Sequence, residues 1–255
     1  MLVLGIDLAA QPASTGVVVL ERDPRGRWVA EVPEGEPDDD ALVRWGAGAD
    51  KVGVDVPLGW PAPFVEAVAA HLRHDPWPAT EDRRPLTHRR TDDVVVEQGW
   101  GRPMSASADR LGSVAMRGAL LQREWALRWG GAAPRDGSGR LAEVYPAAAL
   151  RVWHVTSKGY KAAGPRSVAA REVRSGIVAD LSRRCGPRLD LAAVAGAAVE
   201  SDHVLDALLS AMVAVSVLAG TTLRPRDGDE LRSALAEGWI HVPTAPLEEL
   251  APGGA

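Results

Sequence analysis

Four aspartates stand at the boundaries of apolar segments and are the residues best suited to chemistry. Asp7 lies at the end of the apolar run 2–8, and Asp55 lies at the end of a second apolar run. Asp202 and Asp206 are four residues apart, so both project from one face of a helix. That helix is otherwise apolar, and a charge on its buried side is costly unless it is paired or bound to a metal.

Carboxylates in this arrangement are suited to a metal site. Hard oxygen ligands favour Mg²⁺ or Mn²⁺, and two such ions ~4 Å apart can activate a water and stabilise the leaving oxygen of a phosphodiester. If the first and fourth strands are neighbours and the last helix packs across them, the carboxylates converge. We therefore predict that Asp7, Asp55 and Asp206 are catalytic metal ligands. Asp202 is predicted to be a further metal ligand, and Glu143, at the end of a later strand, a further catalytic carboxylate.

Each of these carboxylates also has a structural explanation. The two strand-end aspartates are placed to cap turns, and Asp202 is placed to cap the N-terminus of its helix. Glu143 has an alternative role in a salt bridge to Arg151 or Lys161. His203 is positioned either to assist proton transfer or simply to begin the helix.

Basic residues suggest where an anionic substrate binds. The densest positive run covers residues 82–90, within an irregular segment that follows the Asp55 strand. A charge run is usually a solvated face, but arginine is suited to bidentate phosphate contact. We predict substrate binding by Arg89, Arg90 and Asp92, although Asp92 could instead hold Arg90. A second predicted anion site comprises Tyr160, Lys161 and Arg166.

Composition restricts the class of protein. The chain has 255 residues, 46% of them hydrophobic and 25% charged, and a net charge of −5. This balance argues against a protein that coats nucleic acid indiscriminately, which would be basic. The single Cys185 excludes an intrachain disulfide and a cysteine metal cluster. The N-terminus shows no basic leader pattern and no apolar run is long enough to span a bilayer, so we expect a cytoplasmic protein without a membrane partner.

The predicted elements alternate in a way that can position these residues. Three closely spaced strands predict an antiparallel meander, and alternating strands and helices follow it. The pattern predicts one α/β domain over residues 1–255, with a mixed sheet flanked by helices. A loop-rich insertion is predicted at about 61–104. We predict strands at 2–8, 16–21, 27–32, 51–56, 140–144 and 239–243, and helices at 38–46, 64–73, 107–129, 167–185 and 201–219.

Several motifs resemble those of known proteins. GIDLA at 5–9, DVPLGWP at 55–61 and SDHVLDALLSAMVA at 201–214 resemble the catalytic strands and closing helix of the RNase H-like superfamily. The full pattern is similar to the family called domain of unknown function 429. The further matching pieces are RRTD at 89–92, EVYPAAALR at 143–151, YKAAGPR at 160–166 and WIHVP at 239–243.

The resemblance implies an RNase H-like fold and a metal-dependent nuclease acting on DNA or RNA. One departure concerns the glutamate that many RNase H enzymes carry on the helix after the third strand. Here that position offers only Asp38, Asp39 and Asp40, which are suited to capping the helix. Glu143, at the end of a later strand, is the predicted substitute for this carboxylate.

Two other functions remain open at this point. A phosphoryl-transfer protein of the actin and sugar-kinase-like superfold could hold a nucleotide phosphate in the turn AAQPASTG, through Ser14 or Thr15. A non-catalytic binding module could use the same fold for partner contacts. The sequence leaves the oligomeric state open.

Overall fold

A single mixed sheet organises the part of the chain that the structure describes. The computed structural model describes residues 1–78, 81–161 and 167–250. Within these ranges the sheet has the strand order β6-β3-β2-β1-β4-β5-β7. Its strands are β1 (Leu2–Asp7), β2 (Gly16–Arg22), β3 (Trp28–Glu31), β4 (Lys51–Asp55), β5 (Leu141–Val144), β6 (Leu189–Asp190) and β7 (Ile240–His241).

The strand directions confirm the predicted architecture. Strands β1, β2 and β3 pair antiparallel in sequence order, as the meander requires. Strand β4 pairs parallel with β1, and β5 pairs parallel with β4, so the first and fourth strands are neighbours as predicted. The remaining parallel pairs join β7 to β5 and β6 to β3. Strand β6 was not predicted, because two residues are too short to show a period-2 pattern.

Helices surround this sheet. Five of the ten described helices differ from predicted ones at most at their ends, and the other five, each of nine residues or fewer, were not predicted. The described helices are α1 (Asp39–Gly48), α2 (Ala62–Leu72), α3 (Arg84–Thr87), α4 (Arg90–Glu97), α5 (Gly112–Trp129), α6 (Pro146–Val152), α7 (Ser167–Cys185), α8 (Ala195–Glu200), α9 (Asp202–Leu218) and α10 (Asp229–Glu237). Among them, none combines the length and apolar character that crossing a bilayer requires.

Hydrophobic cores form on both faces of the sheet. One core joins Val3 and Val18 to the buried residues of α6, α7 and α9. The other joins Leu4 and Ile6 to α1 and α5. Successive residues of β1 thus point to opposite cores, as the pleat of a strand requires. The sheet is covered on both sides, which explains why its central strands are nearly continuous apolar runs.

The segment predicted to be a loop-rich insertion is partly helical. Its described residues, 61–78 and 81–104, form α2, α3 and α4 and irregular stretches beside them. The last of these helices is integrated into the domain, since Thr91 and Asp92 are buried and the Thr91 hydroxyl accepts a hydrogen bond from the Ile240 backbone, 2.7 Å away. The basic run at its start therefore belongs to a structural helix as well as to the surface.

Helix α9 lies unusually close to the sheet because glycines face it. A Cβ at Gly53 would lie 2.5 Å from the Ser210 carbonyl oxygen, and a Cβ at Gly5 would overlap the α9 backbone at Ala207. A Cβ at Gly16 would likewise overlap the α9 backbone, at His203. Side chains larger than hydrogen cannot occupy these positions without moving the helix. The three glycines therefore determine how closely α9 packs on β1, β2 and β4.

We expect Gly5→Ala to destabilise the protein by roughly 1–3 kcal/mol or more, because the new methyl group would overlap backbone atoms of α9. Gly176→Ala is the matched control. Gly176 lies inside α7 with open space around its Cβ position, so alanine there should stabilise the helix by up to about 1 kcal/mol. Urea unfolding followed by circular dichroism measures both changes. Equal stabilities for Gly5→Ala and the wild type would contradict the packing described above.

Candidate metal centre

Three aspartates converge at one end of the sheet. Asp7 and Asp55 end neighbouring parallel strands and are register partners. Asp206 lies in the second turn of α9, which crosses those strands. One ligand atom from each carboxylate lies within 4.8 Å of the others. The structure thus brings together three of the four predicted metal ligands.

Burial makes this concentration of negative charge costly. Asp206 is fully buried, and the other two side chains are partly exposed. Loss of hydration raises the pKa of Asp55 well above its usual 3.8, and repulsion from Asp7 raises this pKa further. Loss of hydration also raises the pKa of Asp206 to about 6, although the Lys161 ammonium acts in the opposite direction. A bound cation would relieve this cost.

Tyr160 and Lys161, which were predicted as part of an anion site, contact Asp206. The buried Tyr160 hydroxyl donates a hydrogen bond to Asp206 Oδ1 at 3.0 Å. The Lys161 ammonium forms an ion pair with Asp206 Oδ2. Attraction to Asp206 and then Asp55 raises the pKa of Lys161, despite the opposing effect of burial. Arg166, the third member of that predicted site, lies outside the described residues.

At the start of α9, the suggestion that Asp202 caps the helix is wrong. Ser201 is the N-cap, and its hydroxyl accepts a hydrogen bond from the Val204 backbone. Asp202 does not belong to the group of converging ligand atoms. The neighbouring His203 turns towards the cluster instead, with Nδ1 2.7 Å from Asp7 Oδ2. That hydrogen bond raises the pKa of His203.

Asp7 and Asp55 open into a cavity of about 440 Å³. Its lining also includes Lys161, Arg102 and Tyr145. Cavities of this size are typical of small-molecule sites. The cavity therefore gives access to Asp7 and Asp55 from one side of the molecule, whereas Asp206 is fully buried.

Comparison with protein families gives one match. The sequence model of the family described as protein of unknown function (DUF429) matches residues 5–230. The chain belongs to this family. The match spans all three clustered aspartates. No curated protein and no solved structure matches the chain.

Glu143 of this DUF429 protein lies on the cavity wall but is already engaged. It accepts two hydrogen bonds from the Arg89 guanidinium, at 2.7 and 2.8 Å, and one from the Leu58 backbone at 3.0 Å. Asp92 accepts from the same guanidinium at 2.9 Å. All three charged side chains are buried. The alternative pairing of Glu143 with Arg151 or Lys161 is wrong, and Asp92 holds Arg89 rather than Arg90.

Arg90 does not line the cavity. Its guanidinium pairs with Glu97 at 2.7 Å and with Glu230 at 3.0 Å, and it borders a separate surface hollow with Arg226. Of the two arginines predicted to bind substrate, Arg90 therefore lies away from the cavity that Asp7 and Asp55 line. Arg89 does line the cavity, but its charge is shared by two buried carboxylates.

Some residues around the DUF429 site were missed or undervalued in the sequence. His203 precedes Asp206 by three positions, a spacing that places both on one helix face. This spacing could have indicated that His203 faces the aspartate cluster. Arg102 and Tyr145 carry no such signal, because they reach the cavity from a loop and from the start of α6.

We expect Arg89→Ala to destabilise the DUF429 protein by roughly 3–5 kcal/mol, because it leaves two buried carboxylates without their counter-charge. Arg90→Ala is the matched control, and loss of its partly exposed ion pairs should cost about 0–1 kcal/mol. Urea unfolding of both variants gives the comparison. If the two substitutions had the same small effect, Arg89 would not be the counter-charge that stabilises Glu143 and Asp92.

We expect Asp55→Asn to stabilise the metal-free protein at pH 8 relative to the wild type. Because the native pKa of Asp55 is raised, the wild type loses stability as pH rises from about 4 through that native pKa. The amide has no such loss, so its advantage should be larger at pH 8 than at pH 4, by up to about 1.4 kcal/mol for each unit by which the pKa of Asp55 is raised.

Urea unfolding in EDTA at both pH values measures this difference. Asp40→Asn, which alters an exposed carboxylate on α1, serves as the control. A pH-independent effect of Asp55→Asn would show that the cluster does not repel charge.

Proposed function

We propose that this chain is a metal-dependent nuclease that hydrolyses phosphodiester bonds of DNA or RNA. The observation that carries the proposal is the convergence of Asp7, Asp55 and Asp206 within 4.8 Å. Their placement on two neighbouring strands and one crossing helix is the arrangement that the resemblance to the RNase H-like superfamily leads us to expect. The mixed sheet with its antiparallel meander supports the same comparison.

The donor set fits a hard divalent cation. Three carboxylates offer only oxygen ligands, which suits Mg²⁺ or Mn²⁺ better than softer metals. Within the described ranges we find no hydrogen-bond donor to the Asp55 carboxylate, so its oxygens remain available. Asp7, Asp55 and Asp206 would hold the ion. When bound, it would activate water and offset the negative charge that develops on the phosphate.

Two neighbouring side chains are suited to assist. The Lys161 side chain is half-exposed at the cavity and can bind a phosphate oxygen while remaining close to Asp206. His203 holds Asp7 through Nδ1, which leaves Nε2 free to carry a proton. Because its pKa is raised, His203 is suited to donate that proton to a leaving oxygen near neutral pH.

The structure offers less support for the kinase-like alternative. Thr15, a proposed phosphate ligand in that case, is buried. Its hydroxyl donates to the Gln11 carbonyl at 3.1 Å and accepts from Arg117 at 2.8 Å. These bonds hold the turn between β1 and β2. The hydroxyl of Thr15 is thus committed to the fold.

We expect Asp7→Asn and Asp206→Asn each to weaken Mn²⁺ binding at least tenfold and to abolish cleavage, because an amide oxygen carries no ligand charge. Asp202→Asn is the matched control, since it alters a carboxylate on the same helix outside the cluster. Calorimetric titration measures Mn²⁺ binding. Single-stranded, duplex, branched and hybrid substrates, each tested with Mg²⁺ and Mn²⁺, measure cleavage.

Thermal unfolding of each variant provides the control for folding. Absence of cleavage by the folded wild type on every substrate would overturn the nuclease proposal. Retention of metal binding in that case would favour a binding module. Equal loss in Asp202→Asn would contradict the assignment of the ligands.

A further inference from the structure

A second hollow lies next to the cavity that Asp7 and Asp55 line. Its volume is about 500 Å³. Arg102 and Tyr145 line both spaces, so the two are adjacent. The other lining residues of the hollow are Val96, Gly99, Gly101 and Arg151.

The hollow is positively charged, unlike the aspartate cluster. Two of its lining residues are arginines, and none of these six described residues is acidic. Arg102 is exposed, and no described residue forms an ion pair or hydrogen bond with its guanidinium. Arg151 donates to the Trp100 carbonyl. A guanidinium has five N–H donors, so Arg151 retains donors for a ligand.

The local fold holds these groups in place. Tyr145 precedes α6, and Arg151 lies within that helix, most of whose residues are buried. Gly101 passes directly against both side chains, since a Cβ there would lie 3.2 Å from the Tyr145 hydroxyl. The glycine thus lets the loop approach α6 and brings Arg102 to the boundary between the cavity and the hollow.

We propose that this hollow binds a second phosphate group of the substrate, adjacent to the one at the aspartates. The inference rests on the proposed function, which supplies the first phosphate position. Arg102 and Arg151 would contact the second phosphate through charge-assisted hydrogen bonds. The substrate is then a single-stranded oligonucleotide, which carries at least two phosphate groups. The volume of the cavity suits one nucleotide rather than a duplex.

Binding by the full-length protein tests this subsite without requiring cleavage. The probes are thymidine 5′-monophosphate, the 5′-phosphorylated dinucleotide pTpT and ADP, each titrated by calorimetry in EDTA and again with Mg²⁺. We expect pTpT to bind more tightly than the monophosphate. Arg102→Ala should weaken pTpT binding tenfold or more, which corresponds to ~1.4 kcal/mol, because it removes charge-assisted hydrogen bonds to the second phosphate.

The affinity for the monophosphate should change less than twofold in the same variant. Arg44→Ala removes an exposed arginine of α1, away from both spaces, and should leave every affinity unchanged. Arg151→Gln should repeat the selective loss, with thermal unfolding as the check on folding. A preference for pTpT over ADP would identify an oligonucleotide, and the reverse preference would identify a nucleoside polyphosphate.

No effect of Arg102→Ala, or an equal effect on the monophosphate and pTpT, would overturn the second subsite. This outcome is distinct from failure of the proposed function. Selective binding of two phosphates without cleavage of any nucleic acid would retain the subsite and reject the nuclease. Cleavage with no selectivity for a second phosphate would retain the nuclease and reject the subsite.

Discussion

The contact between α9 and the sheet is the constraint on which the candidate site depends. Gly5, Gly16 and Gly53 leave room for the helix backbone to lie directly on three strands. Asp206 is thereby brought beside the two strand-end aspartates, and it is fully buried there. A larger residue at any of these glycines would separate the carboxylates. Packing on one face of the sheet therefore sets the distances on which metal binding depends.

Sequence patterns predicted the framework because each element has a strong local signal. The strand ends at Asp7 and Asp55, and the apolar helix that carries Asp206, are visible as apolar runs interrupted by charge. Pairings between distant segments are not visible in this way. The Arg89 guanidinium joins Asp92, three residues away, to Glu143 on another strand. Its partners depend on tertiary packing, so the sequence alone suggested a phosphate-binding arginine instead.

Charge is arranged differently in the two buried clusters. Around Arg89, one guanidinium stands between two carboxylates, and its hydrogen bonds are made within the fold. Around Asp206, three carboxylates share the half-exposed Lys161 as their nearest ammonium. The first arrangement resembles a structural ion-pair network, whereas the second retains capacity for a further cation. This contrast distinguishes a cluster suited to stability from one suited to binding.

The ends of the sheet also affect how the molecule meets other chains. Both outermost strands, β6 and β7, are only two residues long. A long unpaired edge offers a row of backbone donors and acceptors on which another strand can add, and such edges promote aggregation. Two-residue edges present very little of that template. The sheet therefore ends in a form that disfavours extension into intermolecular β-structure.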